Sequence, residues 1–219
     1  MVKIVYGVAG EGMGHAVRSR VVIEHLLKKK HMVKVVGGGK AYSYLSSFFS
    51  IRKSAYFRIL YRKNKISYLL TSLNNLARFP FILLDALRLA RTIRRFKPDL
   101  IITDFEPLTD WIAFFLRIPV ITIDNQHIIT GADHRKIIDK FTLSFLSAKL
   151  VIQSFIIKKT RQFITTIPSG KSLNDSVFLI RPLIRDSILK VKPKSGSHIL
   201  VYQTSPSNAG LFDVLRQFS

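Results

Sequence analysis

Cysteine is absent from the 219-residue sequence. That excludes a disulfide framework, a thiolate zinc cluster and a thiol nucleophile, and it fits a reducing compartment. Acidic residues are missing from one long region, with none between Glu24 and Asp85. No apolar run reaches membrane-spanning length: the charge-free stretch Ile66 to Ala77 falls well short of roughly 18 residues. The N-terminus leads straight into strand-like Val2 to Val8 and lacks the basic flank and long apolar core of a secretory signal. The expected location is the cytoplasm, with peripheral attachment at the inner face of the cell membrane compatible with the charge pattern.

What is present is a chain 47% hydrophobic, enough to bury one full domain and a fraction of another. The formal net charge is +22, and its distribution says more than its total. Lys28, Lys29, Lys30, Lys34, Lys40, Arg52, Lys53, Arg58, Arg62, Lys63, Lys65 and Arg78 all fall in the acid-free region, which also holds most of the Tyr and several Phe. Such a face attracts anionic surfaces, either phospholipid headgroups or nucleic acid; general basicity of the host's proteins is the plainer explanation. No nucleic-acid-binding motif accompanies the charge, so no nucleic-acid partner is expected.

The opening reads strand, glycine loop, helix: VKIVYGV, AGEGMG, then an amphipathic run from His15 to Lys30 with Ala16, Ile23 and Leu27 on one face. A second strand, His31 to Val36, ends in Gly37, Gly38 and Gly39, completing a βαβ unit and a parallel sheet. From Lys40 to Lys97 the periods are mixed, and short helices, a strand around Ile59 and a long helix interrupted near Pro80 are expected. Alternation of elements resumes with a strand at Asp99 to Asp104, a helix at Leu108 to Leu116, a strand at Pro119 to Asp124, a helix at about Asp133 to Ala148, and strands at Leu150 to Ser154 and Val177 to Ile180. Continuous apolar strands imply a sheet covered on both faces, hence a doubly wound, Rossmann-like α/β fold. Residues 185–197 read as a polar linker between a domain at 1–184 and a fresh strand and helix at 198–219, which resemble the start of a second α/β domain.

The glycines at 7, 10, 12 and 14 sit where dinucleotide folds cradle a pyrophosphate, but neither register gives G-x-G-x-x-G, because His15 and Val17 occupy the third-glycine positions. The acidic ribose-binding residue expected after the second strand is replaced by Gly39 and Lys40. Gly170-Lys171-Ser172 lacks the earlier glycine of a P-loop. What remains is a histidine in the first turn of a helix, where the positive helix end favours the neutral imidazole. A neutral imidazole can take a proton from a hydroxyl; a merely structural role as a cap is the alternative. Asp104 with Glu106, and Asp124-Asn125-Gln126-His127, lie at strand carboxyl ends, where α/β sheets bind ligands. Helix capping is the competing explanation for Asp104 and Asp124. Asp124, His127, Asp133 and His134 match no familiar metal-ligand spacing, so no metal is expected.

Taken together, GVAGEGMGHAVRS, ITDFEP and IDNQH resemble the GT-B-fold glycosyltransferases related to family 28, the MurG-like enzymes. The resemblance implies transfer of a sugar from a nucleotide-sugar donor, usually a uridine diphosphate sugar, to a hydroxyl on a glycan or lipid-linked acceptor. Neither a metal nor a bound cofactor is implied. His15 then corresponds to the loop histidine that serves as general base or binds the acceptor, with Asp104 as its catalytic companion. Gly10, Gly12 and Gly14 shape the loop beside the donor phosphate, and Glu106, Asp124, Asn125 and His127 line the acceptor side. Lys40, Arg52, Lys53, Arg58, Arg62, Lys63 and Lys65 match a membrane-facing, anion-binding surface. The donor half is represented only by its first strand and helix, so this stretch is expected to be inactive by itself. A second reading stays open, in which the chain is a non-catalytic remnant that binds anionic membrane through its basic aromatic segment.

Overall fold

A computed structural model describes residues 1–62, 65–133, 142–167, 171–197, 200–201 and 210–218. The chain runs β1 (Lys3–Val8), α1 (Met13–Lys28), β2 (Met32–Gly37), α2 (Gly39–Leu45), β3 (Ile51–Lys53), β4 (Tyr61–Arg62), β5 (Lys65–Ile66) and α3 (Tyr68–Phe96). It continues with β6 (Leu100–Asp104), α4 (Pro107–Leu116), β7 (Val120–Asp124), α5 (Ile128–Gly131), α6 (Leu143–Phe155), β8 (Arg161–Thr165), β9 (Val177–Ile180), α7 (Asp186–Leu189) and α8 (Gly210–Leu215). Seven strands form one sheet in the order β3-β2-β1-β6-β7-β8-β9, every neighbouring pair parallel. The β4–β5 pair is a separate antiparallel ladder.

The strands are apolar because both faces are covered, and alternate residues serve opposite layers. Val5 and Ile101 point into a core built with Ile82, Leu89 and Ile93 of α3 and Leu108, Ile112 and Ala113 of α4. Their neighbours Ile4, Tyr6, Val8 and Ile102 point the other way, against Ala16 and Ile23 of α1 and Ala41 and Leu45 of α2. After β3 the chain crosses back to place β6 on the other side of β1. The β1–β6 junction is therefore the switch point at whose carboxyl edge α/β sheets open a crevice.

Several sequence expectations need correction. Pro80 does not interrupt α3. It lies on the exposed side of the helix, and the carbonyl it frees belongs to Leu76, itself 71% exposed, so water can satisfy it. Leu150 to Ser154 is part of helix α6, not a strand. Ile152 is buried while Leu150 and Val151 are exposed, a one-sided pattern that a strand covered on both faces would not show. The strand that follows β7 is instead β8, whose Arg161 and Gln162 break the apolar run. Leu27 is exposed; Ser19 joins Ala16 and Ile23 on the buried stripe of α1. The strand expected around Ile59 is the β4–β5 ladder just beyond it, and the expected linker contains the helical turn α7.

Other expectations fall partly outside the described residues. Residues 134–141 of the helix expected at Asp133 to Ala148 lie there, as does most of the strand expected at 198–204. Leu200 and Val201, which are described, pair with no strand among the described residues. Helix α8 follows, exposed throughout most of its length.

Helix α3 buries apolar side chains only from its midpoint on, at Ile82, Leu89 and Ile93. Leu89→Ala, at 1% exposure, should lower stability by about 2–5 kcal/mol. Leu76→Ala should change it by less than about 0.5 kcal/mol. Urea denaturation midpoints of the two variants check this.

Candidate active site

The loop after β1 owes its shape to glycines, each for a different reason. Gly12 is the N-cap of α1 at φ 84, a left-handed conformation that disfavours side chains. A Cβ on Gly10 would stand 2.6 Å from the ring of Tyr56, so Gly10 makes room for packing. Nothing lies within 4 Å of a Cβ built on Gly14. The three glycines expected to shape a donor-phosphate loop thus divide into a turn, a packing position and an open position.

That turn delivers His15 to the switch point. Its Nδ1 lies 2.6 Å from Asp104 Oδ1 at the carboxyl end of β6. Arg18, one helical turn on, donates to both carboxylate oxygens, from Nε at 2.9 Å and from Nη2 at 2.6 Å. The Ser19 hydroxyl adds a fourth bond at 3.1 Å. Asp104 is fully buried, and burial alone would push its carboxyl up; His15 and Arg18 outweigh that and hold it below the usual carboxylate range. Arg18 Nη1 also reaches Thr165 at the end of β8, at 3.3 Å.

The other imidazole nitrogen faces Gln126, whose Nε2 is 2.9 Å from His15 Nε2. Gln126 Oε1 accepts from the Asn125 amide at 3.3 Å, which turns the Gln126 NH2 toward His15. Ionised Asp104 can only accept, so Nδ1 carries a hydrogen, and in the neutral ring Nε2 is the nitrogen that presents a lone pair. Phe105 follows Asp104 at φ 56, a strained conformation for an aromatic residue. It stacks its ring 6.4 Å from that of His15 and sets it 6.1 Å from that of His127.

The structure does not make acceptor-side surface of all four residues expected there. Glu106 is the buried N-cap of α4: it accepts from the Leu108 and Thr109 amides at 3.1 and 2.7 Å and from the Thr109 hydroxyl at 2.6 Å. Burial lifts its carboxyl to about 7, against the pull of those bonds. Asp124 and His127 form a second buried pair, with Oδ2 to Nδ1 at 2.6 Å and the His127 amide bonded to Oδ1 at 2.9 Å. Neither exposes any surface, so both brace the turn after β7 and cannot touch an acceptor. Asn125 is exposed.

The basic surface divides too. Lys40, Lys53 and Arg58 line a cavity of about 710 Å³ together with Met13 and Tyr56. Arg52 is paired with Asp85 at 3.1 Å and so is not a free anion-binding group. Arg62 is exposed on β4. Lys63 and the side chain of Lys65 lie outside the described residues.

Arg18, Ser19, Phe105 and Gln126 are the site residues that reasoning from the sequence missed. Arg18 and Ser19 could have been found, because positions three and four after His15 share its helix face. Gln126 stands in the polar cluster at the end of β7, but its approach to His15 depends on the turn after that strand.

The family model for glycosyl transferase family 1 matches residues 2–219. No curated protein matches the chain. Among solved structures, the glycotransferase of kitacinnamycin is similar at a TM-score of 0.52 and 13% identity, over 90% of this chain and 55% of that one. MurG of Acinetobacter baumannii aligns at a TM-score of 0.49 and 14% identity, over 81% of this chain and 46% of that one. A glycosyltransferase of Streptomyces sp. SF2575 aligns at 0.49 and 13%, over 77% and 51%. The chain thus spans about half the length of these proteins. The expected doubly wound parallel sheet of a GT-B half is the fold observed.

The buried cap has a pH signature. Unfolded, the Glu106 carboxyl titrates at its ordinary value of 4.5; folded, at about 7. Between those values the folded state keeps a proton the unfolded state has lost, so stability falls as pH rises, by on the order of 3 kcal/mol in total. Glu106→Gln should flatten this slope in urea denaturation across the window. Asp110, which burial lifts to about 6, adds to the slope in the same direction.

Proposed function

The chain belongs to glycosyl transferase family 1, and on that footing we propose that it forms the acceptor-side half of a glycosyltransferase in which His15 is the general base. The donor is a nucleotide sugar, of the uridine diphosphate class by resemblance, and the acceptor supplies a hydroxyl. The observation that carries this reading is the His15–Asp104 contact of 2.6 Å, locked by Arg18 and Ser19 at the switch point of the sheet. Asp104 fixes the ring and its tautomer, so the Nε2 lone pair faces the place where an O–H could donate. The Gln126 amide now occupies that donor position, and an acceptor hydroxyl would take it over.

In the proposed step His15 Nε2 removes the hydroxyl proton as the acceptor oxygen bonds to the anomeric carbon. The bond from that carbon to the donor phosphate breaks, and the nucleoside diphosphate leaves with the electron pair. Gly12 brings the helix start, with its free amides, to the same edge, where such dipoles favour an anionic leaving group. His15→Ala, in a full-length form that includes a donor-binding half, should lower kcat/KM by about 10²–10⁴-fold with an unchanged thermal midpoint. Near-normal turnover would remove His15 from the mechanism.

Attachment to an anionic membrane at the cytoplasmic face is a second part of the proposal. It is supported by the N-terminal half of α3, where Leu69, Leu76 and Phe81 are 70%, 71% and 72% exposed within the acid-free basic segment. Apolar side chains beside cations are what a headgroup interface favours. No helix among the described residues is long and apolar enough to cross a membrane. Co-sedimentation with phosphatidylglycerol vesicles should be strong at low salt and should weaken in Leu76→Ser/Phe81→Ser. Retention unaffected by those substitutions would take α3 out of the interface.

A further inference from the structure

An imidazole set against a buried carboxylate is ordinarily drawn toward the imidazolium form, because the negative charge favours a second ring proton. A general base needs the opposite. We propose that Arg18 is a positioning residue that keeps the His15 ring unprotonated, by cancelling the charge of Asp104 at the nitrogen the ring turns toward it. The word base rests on the transferase reading; the effect of Arg18 on the ring does not.

One oxygen carries both contacts. Asp104 Oδ1 lies 2.6 Å from His15 Nδ1 and 2.6 Å from Arg18 Nη2. The same guanidinium closes on Oδ2 through Nε at 2.9 Å, so carboxylate and fork form a bidentate pair whose formal charges cancel. His15 therefore meets a neutralised pair and not a bare anion. Arg18 Nη2 also stands 3.3 Å from His15 Nδ1. Both nitrogens are donors aimed at one oxygen, and a full positive charge at that range opposes a second one on the ring.

Depth strengthens the effect. The Asp104 side chain is fully buried and those of His15 and Arg18 are 11% and 12% exposed, so little water screens the three groups. Arg18 cannot relieve the repulsion by losing its proton: burial disfavours its charge, but the bonds and field of Asp104 outweigh burial and raise its pKa. Nor is it free to swing away, since Nη1 is tied to Thr165 on β8 at 3.3 Å. The three-residue spacing along α1 is what brings both side chains over one carboxylate.

The other groups around the ring do not supply this charge. From the turn after β7, the second ring nitrogen meets the uncharged Gln126 amide. Across Phe105 lies His127, whose Nδ1 is engaged by Asp124. Tyr6 on β1 is buried, and burial pushes its phenol up, so it stays neutral. Glu11, in the loop before α1, makes no bond to the ring among the described residues.

The test is the pH titration of His15 followed by proton–carbon NMR of the protein. Its signal, among those of six histidines, is identified by its loss in His15→Gln. The midpoint is compared across Arg18→Gln, Arg18→Lys and Ser19→Ala. Expected is a midpoint higher by at least about one pH unit in Arg18→Gln, a tenfold gain in proton affinity. Arg18→Lys keeps the charge without the fork, and Ser19→Ala removes a bond to Asp104 without removing a charge; both should titrate close to the parent. An unshifted or lowered midpoint in Arg18→Gln overturns the proposal. So does an equal rise in Arg18→Lys or Ser19→Ala, which would make the effect one of geometry. Should Arg18→Gln fail to fold, Arg18→Lys decides: a parental midpoint supports the proposal and a raised one overturns it. In a full-length form with a donor-binding half, the acid limb of kcat/KM should move up with the midpoint in Arg18→Gln, so that turnover lost near neutral pH returns as pH rises. A shifted titration with an unmoved acid limb would uphold the action of Arg18 on the ring and remove His15 as the base, so the two failures read separately.

Discussion

The burial of one ionised carboxylate, that of Asp104, organises the carboxyl edge of the sheet. An isolated carboxylate in that position would be expelled or neutralised. It is tolerated because four donor groups meet it: the His15 ring, two nitrogens of Arg18 and the Ser19 hydroxyl. All four come from α1, so the pairing decides where that helix sits on the sheet and where its first turn points. Gly12 is required because the chain must turn sharply to make that approach. The strained Phe105 follows because the chain must leave β6 without disturbing Asp104. The chemistry proposed for His15 is thus a by-product of solving an electrostatic problem.

A second buried pair, Asp124 with His127, repeats the arrangement one strand further on, with different consequences. It has no arginine and exposes no surface. Its effect reaches the site through Gln126, held between the two members of the pair and directed at His15. Two Asp–His pairs on neighbouring strands therefore divide the labour: one presents a nitrogen to the cleft, the other shapes the loop that covers it.

How far the sequence reveals this follows from the range of the interactions involved. Strands β1, β6 and β7 are legible because two-sided burial leaves nearly continuous apolar runs, while β2, interrupted by Lys34, is legible from the βαβ order and the glycines that end it. The same rule misleads at Leu150 to Ser154, where a short apolar run belongs to a helix with one buried face. It also passes over β8, whose first residues are Arg and Gln. Pro80 shows that a strong local signal yields when the freed carbonyl faces water. At the site, His15 and Asp104 stand out because glycine punctuation and strand ends are local features. Glu106 was legible as a strand-end carboxylate but not as a cap buried by Thr109 and Leu108. Gln126 stood in the polar cluster after β7, but its contact with His15 was not legible, since that partner lies 111 positions away.

The place of the His15–Arg18–Asp104 cluster in the strand order has a mechanical meaning. Strands β1 and β6 are adjacent in the sheet, yet the chain between them builds a whole flank, so their junction is the natural seam along which the two flanks could part. The cluster rivets that seam on one face, and Arg18 extends the fastening to Thr165 on β8. Splaying the strands would strand a buried charge, so the scaffold behaves as a fixed anvil. Above that fixed scaffold lies the Gln126 side chain, which among the described residues meets the cluster through the single contact with His15.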